Sequence, residues 1–367
     1  MSSLSVQPVK GMRDIIGKPA RLKRWVEATI GKTVAKYGFD PIQLPVLENL
    51  ETLTLKGGGG DDVGKELYTL EDQSGRKLGL RYEHTTSLAR MLAANPELPK
   101  PVKAFNLGNV YRYDNPQAFR YREFTQADCD IIGSTHASAD AECVSIAVDA
   151  MTALGFAEFR IRINDRRIMN AMLSLCEVPA THAKDAMRII DKLDKIGAEG
   201  VKAELEKHAI PTGILAYLAQ PLPKIKKALE EANHDVAGVH ALEKLFASLE
   251  NMGHLSHTVF DLSLVRGLEY YTGSVFEIYA GLHVSVGGGG RYDELIRTLG
   301  GPQTPAVGIS FGVDRLVDAL STTWNHPGTH AYIIPIGNTY PTAQLLARQL
   351  RDHGHATEID IMGRSIG

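Results

Sequence analysis

The sequence predicts an α+β fold in which antiparallel hairpins and helices share one large domain, with a helical insertion and a partial α/β unit toward the C-terminal end. Three observations predict it. Alternating segments separated by short polar turns read as hairpins. Residues 165–252 turn rich in Ala, Leu, Lys and Glu with helical periodicity, broken at Pro179, Pro211 and Pro221. After Thr322 the pattern resets to strand, helix, strand. At 367 residues, 44% hydrophobic and 23% charged, the chain has room for two or three domains.

The elements follow in order. Residues 18–37 form an amphipathic helix: Leu22, Trp25, Val26, Ile30 and Val34 fall on one stripe, and Gly38 suits its cap. A short extended run ends at Pro45. Gly57 to Gly60, with Asp61 and Asp62, read as a mobile loop. Leu67–Asp72 and Lys77–Arg81 flank Gln-Ser-Gly-Arg as a hairpin. Val102–Tyr113 and Tyr121–Gly133, joined by the polar loop 114–120, make a second and longer one. Residues 137–154 read as helix and Glu158–Ile163 as a strand. Beyond the helical stretch, strands are expected at 257–263, 271–280 and 283–287. Gly287–Gly290 then leads into a helix beginning near Arg291. The strand Ala306–Phe311 runs into a helix carrying Arg315. Ala331–Ile336, a helix over 340–353 and Ala356–Ile361 open a βαβ unit. Two strands and one helix do not bury both faces of a parallel sheet. The chain is therefore expected to be cut inside a third domain, or to have that domain supplied otherwise.

Composition excludes several classes. A net charge of −3 gives no global basic signature, though a local basic surface can still bind phosphates. Cys129, Cys143 and Cys176 are widely spaced with no CxxC, which argues against a disulfide framework or a zinc site and for reduced cytosolic thiols. No residue is assigned as a metal ligand. The start has no signal-peptide core, and no apolar run reaches membrane-spanning length.

Five segments carry chemistry. In residues 265–273, Arg266 sits on a glycine turn before Tyr270 and Tyr271. On a strand, Glu269, Tyr271 and Gly273 would share one face, surrounding a small pocket with a cation, a carboxylate and a phenol. In Arg81-Tyr82-Glu83-His84-Thr85-Thr86, an extended backbone would point Glu83 and Thr85 the same way, a pairing suited to an ammonium group; the alternative is a solvated strand end. In the long hairpin, Arg112, Gln126 and Asp130 occupy even positions of adjacent strands. Arg112 suits bidentate contact with phosphate or carboxylate, and Phe124 can stack on a nucleotide; the alternative is a surface hairpin with cross-strand charge pairs. Ser285-Val-Gly-Gly-Gly-Gly-Arg-Tyr-Asp293 lets backbone approach a ligand closely. Pro305 to Leu316 places Arg315 near a helix start beside small residues. Neither a P-loop nor a Rossmann fingerprint is present.

Taken in order, these segments resemble the histidyl-tRNA synthetases, class II aminoacyl-tRNA synthetases, over essentially the whole chain from Lys10-Gly-Met-Arg-Asp14 onward. Pro45 stands at the family's motif 1 proline, and Thr54–Asp72 looks like the loop after that motif. Residues 111–124 look like motif 2 and Val307–Leu316 like motif 3. Leu264–Gly273 and Ser285–Asp293 look like segments specific to the histidine enzyme. The resemblance implies a class II antiparallel sheet flanked by helices in residues 1–325, with a helical insertion at about 170–255 and the site on the open face. It also implies the start of an α/β anticodon-binding domain at 328–367.

The resemblance further implies activation of L-histidine by ATP and Mg²⁺ to histidyl-adenylate, transfer to tRNA(His), a homodimer, and a cytoplasmic location. By position, Glu83, Thr85 and Gln126 would hold the histidine ammonium. Asp130 and Tyr271 would read the imidazole, with Tyr270 beside them. Arg112, Arg120, Phe124 and Arg315 would bind ATP. Arg266 would stand at the α-phosphate and, with Arg112, be catalytic. The chain departs from the family pattern at Asp130, where many members carry Glu, and at His84, where a small or apolar residue is usual. The rival reading is the non-catalytic, histidine-sensing regulatory subunit of ATP phosphoribosyltransferase, which lacks an anticodon domain and has no need of the arginine set.

Overall fold

The computed structural model describes residues 6–55, 64, 66–265, 270–321, 323–324 and 328–362. Its strands are β1 (Asp40–Ile42), β2 (Leu47–Asn49), β3 (Thr69–Glu71), β4 (Lys77–Leu80), β5 (Val102–Tyr111), β6 (Glu123–Ile132), β7 (Arg160–Asp165), β8 (Thr258–Phe260), β9 (Ser274–Tyr279), β10 (Gly287–Arg291), β11 (Ala306–Gly312), β12 (Ala331–Ile333) and β13 (Thr357–Ile359). The chain divides into two compact units, residues 1–319 and 320–367.

The first unit is built on an eight-stranded sheet of order β1-β5-β6-β11-β10-β9-β7-β8. The hairpin β5–β6 pairs ten residues on each side without a bulge, from Val102 opposite Ile132 to Tyr111 opposite Glu123. β6 to β11, β11 to β10, β10 to β9 and β9 to β7 are all antiparallel. Only the outer pairs, β1 with β5 and β7 with β8, are parallel. The fold is thus a mostly antiparallel sheet flanked by helices. A small antiparallel sheet, β2-β4-β3, contains the first hairpin; Asp72 tightens its turn by accepting from the amides of Ser74 and Arg76, each at 2.9 Å.

Burial explains the layering. Helix Ala137–Ala153 is apolar around most of its circumference and almost wholly buried. It packs on β6, β9 and β11, and helices Lys18–Ala35 and Ala237–Asn251 pack beside it. Leu22, Val26, Ile30 and Val34 form the buried stripe of Lys18–Ala35, as their spacing requires, whereas Trp25 is only half-buried. Strand alternation then puts Ala127, Cys129 and Ile131 of β6 toward this helical layer and Gln126, Asp128 and Asp130 on the opposite face. The helical stretch begins directly after β7, where Asp165 caps helix Arg166–Leu175 by accepting from the Arg167 amide at 2.9 Å. Helices Ala183–Ile190, Leu193–Lys207 and Leu222–Glu231 follow, and Ala237–Asn251 returns to the sheet.

Four local expectations change. Thr85 opens helix Thr85–Ala94, so residues 83–85 are not extended. The strand expected at 271–280 runs only from Ser274 to Tyr279, and both tyrosines precede it. Gly287–Gly290 is not a loop into a helix at Arg291: it is the strand β10, and the next helix is Leu295–Thr298. The strand placed at 283–287 is this same strand, begun later. A strand of four glycines forms here because its neighbours leave no room for side chains. A Cβ on Gly289 would stand 1.9 Å from the Gly308 carbonyl oxygen of β11. The glycine loop at 57–60 lies outside the described residues.

In the second unit, β12 and β13 pair in parallel and helix Tyr340–Asp352 connects them, with Ala343 and Ala347 buried.

Candidate functional site

Because β5–β6 is regular, period-two alternation sends Gln126, Asp128 and Asp130 of β6 into one cavity of about 380 Å³. Glu83, Thr85, Arg112, Arg120, Phe124, Tyr270, Tyr271 and Arg315 also line it. Every site residue expected from the sequence therefore meets there, apart from Arg266, which with Glu269 lies outside the described residues.

The register gives the cavity a direction. Phe124 and Asp130 are six residues apart on β6, about 20 Å at strand rise. Asp130 lies opposite Gly308, and Gln126 opposite Gly312, after which β11 runs into helix Val313–Leu320 with Arg315 in its first turn. Arg112 and Arg315 therefore stand at the Phe124 end and Asp130 at the other.

The Asp130 end is acidic and buried. Asp130 accepts from the Tyr292 hydroxyl at 2.6 Å, and both residues are buried. Burial pushes the Asp130 carboxyl well above the usual range, and the neighbouring Asp128 adds to the rise. Burial also raises Glu83, although its oxygens accept from the Thr85 and Thr86 amides at the start of helix Thr85–Ala94, the second at 2.8 Å. Amides and hydroxyls, rather than a lysine or arginine, supply the hydrogen bonds that ease the two carboxyls. Tyr270 and Tyr271 meet edge to face at 4.8 Å, and Tyr270 lies 5.9 Å from the Tyr292 ring. Gly308 makes room for the acid, because a Cβ there would lie 2.0 Å from Asp130 Oδ1.

The opposite end is cationic. The Arg112 guanidinium lies 5.2 Å from the Phe124 ring centre, and its Nε donates to the Tyr82 carbonyl at 3.1 Å. Arg315 donates to the carbonyls of Phe119, in the hairpin loop, and Ser285, at 3.0 and 2.8 Å. Arg120 pairs with Asp114 at 3.2 Å. Asp314 lines the same end, held by Arg13 at 2.6 Å, by Lys23 at 3.2 Å and by the Thr125 amide at 2.7 Å.

Sequence reasoning missed Asp128, Tyr292, Ser310 and Asp314. The signal for Asp128 was present, since it lies midway between Gln126 and Asp130 at the same period. Tyr292 stood inside the glycine-rich segment without a role.

An antiparallel sheet of this order, with a buried acid-and-tyrosine recess at one end and arginines from a hairpin and a following helix at the other, defines a class II aminoacyl-tRNA synthetase fold. The model of the histidyl-tRNA synthetase family matches residues 11–316. The histidine–tRNA ligase of Korarchaeum cryptofilum is 37% identical over 374 aligned residues, covering 97% of this chain and 86% of that protein. The histidyl-tRNA synthetase structure from Nostoc sp. PCC 7120 superposes with a TM-score of 0.85 at 28% identity, covering 99% of this chain and 88% of the other. A structure from Bacillus halodurans, described as an ATP phosphoribosyltransferase regulatory subunit/histidyl-tRNA synthetase, gives 0.83 at 26% identity, covering 99% and 94%. The chain belongs to the histidyl-tRNA synthetase family.

Proposed function

We propose that this chain is a histidine–tRNA ligase: it activates L-histidine with ATP, giving histidyl-adenylate and pyrophosphate, then passes the histidyl group to the 3′ end of tRNA(His). The observation that carries this reading is the directional cavity: buried carboxyls and tyrosines at one end suit a small cationic amino acid, and guanidiniums at the other suit phosphates. A histidine sensor has no use for the second half.

Glu83, Thr85 and Gln126 receive the substrate ammonium, and Asp130 with Tyr271 and Tyr270 receives the imidazole. A buried acceptor that demands a ring N–H rejects isosteres strongly, because the wrong ligand leaves it unpaired. Arg112 and Arg315 hold the ATP phosphates, with Arg120 of the hairpin loop near ATP and Phe124 against the nucleotide. In the first step the histidine carboxylate oxygen bonds to the α-phosphorus and the bond to the pyrophosphate oxygen breaks. No covalent protein intermediate is needed, so Arg112 and Arg266 contribute by placing positive charge where negative charge grows. Mg²⁺ would enter on the ATP phosphates, where it keeps its own waters and asks for few protein ligands.

Residues 1–325 are assigned to catalysis, including the helical insertion at about 170–255, and the α/β unit from 328 onward to the anticodon. A homodimer is supported by exposed apolar residues after Pro45, where Val46 and Leu47 are 38% and 44% exposed. The cytoplasm is the proposed location; no helix among the described residues is long and apolar enough to cross a membrane. Histidine-dependent exchange of pyrophosphate into ATP tests the activity. Histidine binding without exchange would overturn it in favour of the regulatory-subunit reading.

A further inference from the structure

From Gln126 on the cavity wall a polar chain runs through Ser310 and Asp128, which also line the cavity, to His84, and the proposed roles use only its first member. His84 and Asp128 are both buried, 1% and 4% exposed, and His84 Nδ1 lies 3.1 Å from Asp128 Oδ2. The other Asp128 oxygen accepts from the Ser310 hydroxyl. Ser310 Oγ in turn accepts from Gln126 Nε2 at 3.1 Å. Gln126 Oε1 is buried and has no partner among the described residues, and Gln126 lines the cavity.

With Asp128 ionised, one arrangement of protons satisfies the bonds among Asp128, Ser310 and Gln126, while His84 Nε2 stays buried without a partner among the described residues. A carboxylate accepts and does not donate, so both Asp128 oxygens call for donors. Ser310 has a single proton, and Asp128 takes it. The Ser310 oxygen must then receive a hydrogen bond, and the amide nitrogen of Gln126 supplies it. Turning the amide over would set two acceptors against each other in a buried site, at the cost of an unmade hydrogen bond. At the far end, His84 is fixed as a donor through Nδ1.

We infer that His84, Asp128 and Ser310 are positioning residues that lock the Gln126 amide with its oxygen facing the substrate, so that Gln126 accepts from the ammonium of the bound amino acid. The inference rests on the assignment of the ammonium to Gln126. It also gives His84 a role: an apolar residue there would leave Asp128 Oδ2 without its donor.

The test is a double-mutant cycle on histidine affinity, with ATP affinity measured alongside as the check on folding. Ser310→Ala should weaken histidine about tenfold, the scale of one hydrogen bond to a charged group, and leave ATP binding unchanged. Ser310→Thr, which keeps the hydroxyl, should restore it. In a Gln126→Ala background, Ser310→Ala should have no further effect. A loss of the same size in that background would mean that Ser310 acts apart from Gln126 and would overturn the inference while leaving the ammonium assignment standing. If Gln126→Ala alone leaves histidine affinity intact, both fall together.

Discussion

Tyr292→Phe removes a single oxygen from the buried acidic end of the cavity. That hydroxyl donates to Asp130 Oδ1 at 2.6 Å, in the range of a charge-assisted bond. Burial raises the phenol's own pKa, so it remains a donor. The phenylalanine ring keeps the edge contact with Tyr270 at 5.9 Å, and little packing is lost. What changes is Asp130: the hydrogen bond from this hydroxyl lowers its pKa against burial, so removal drives that pKa further up. A neutral Asp130 is a poorer acceptor for an imidazole N–H. The bond is worth about 1.5–3 kcal/mol, and that cost is shared between folding and binding. The ceiling on the loss of histidine affinity is therefore about 10- to 150-fold. Calorimetric titration with histidine and separately with ATP reads it, and urea unfolding reads the share lost from stability. Equal losses for both ligands, or histidine binding as in the parent, would refute the reasoning.

Four further outcomes are expected. Asp130→Asn should weaken histidine by about 10- to 150-fold and ATP far less, by calorimetry; equal losses would remove Asp130 from imidazole recognition. Arg266→Ala should slow single-turnover adenylation by about 10²–10³-fold at saturating substrates while histidine binding holds; a normal rate would make Arg266 structural and revive the sensor reading. Asp130 and Glu83 have folded pKa values above their unfolded ones. They therefore cost stability that is absent below the unfolded values and grows as pH rises toward the folded ones. The substrate ammonium favours the ionised form of Glu83 and an imidazole N–H that of Asp130, so histidine should release protons on binding in mildly acidic buffer, measured by calorimetry in buffers of different ionisation heat; proton uptake would contradict the assignment. Sedimentation should give a dimer at micromolar concentration, and a stable monomer would count against the interface near Pro45.

The parts of the fold that obey a local period were legible in the sequence. The stripe Leu22, Val26, Ile30 and Val34 marks its helix, and the long hairpin needed only alternation and an unbulged pairing to put Gln126 and Asp130 on one face. Glu83 was legible as a site residue but not in its conformation: the helix that starts at Thr85 turns its carboxylate onto backbone amides, which a reading of the segment as extended does not anticipate. The Asp130–Tyr292 and Asp128–Ser310 contacts join residues 162 and 182 positions apart, and no spacing rule reaches that far. The glycine run reads as a loop because glycine alone disfavours strands. Only the backbone oxygen 1.9 Å from a Cβ at Gly289 shows why it is one.

That bare strand has a consequence for how the site can vary. All four glycines of β10 border the cavity, so part of its wall is main chain with no rotamers to adjust. Every substitution there adds atoms, and a Cβ at Gly287 would stand 2.5 Å from the Ser310 oxygen of β11, one at Gly290 2.4 Å from the Ser274 oxygen of β9. A side chain along this wall must displace the sheet backbone beside it. Drift in which amino acid the cavity admits must then enter through the tyrosines and acids on the other walls, while β10 stays a fixed gauge against which they are fitted.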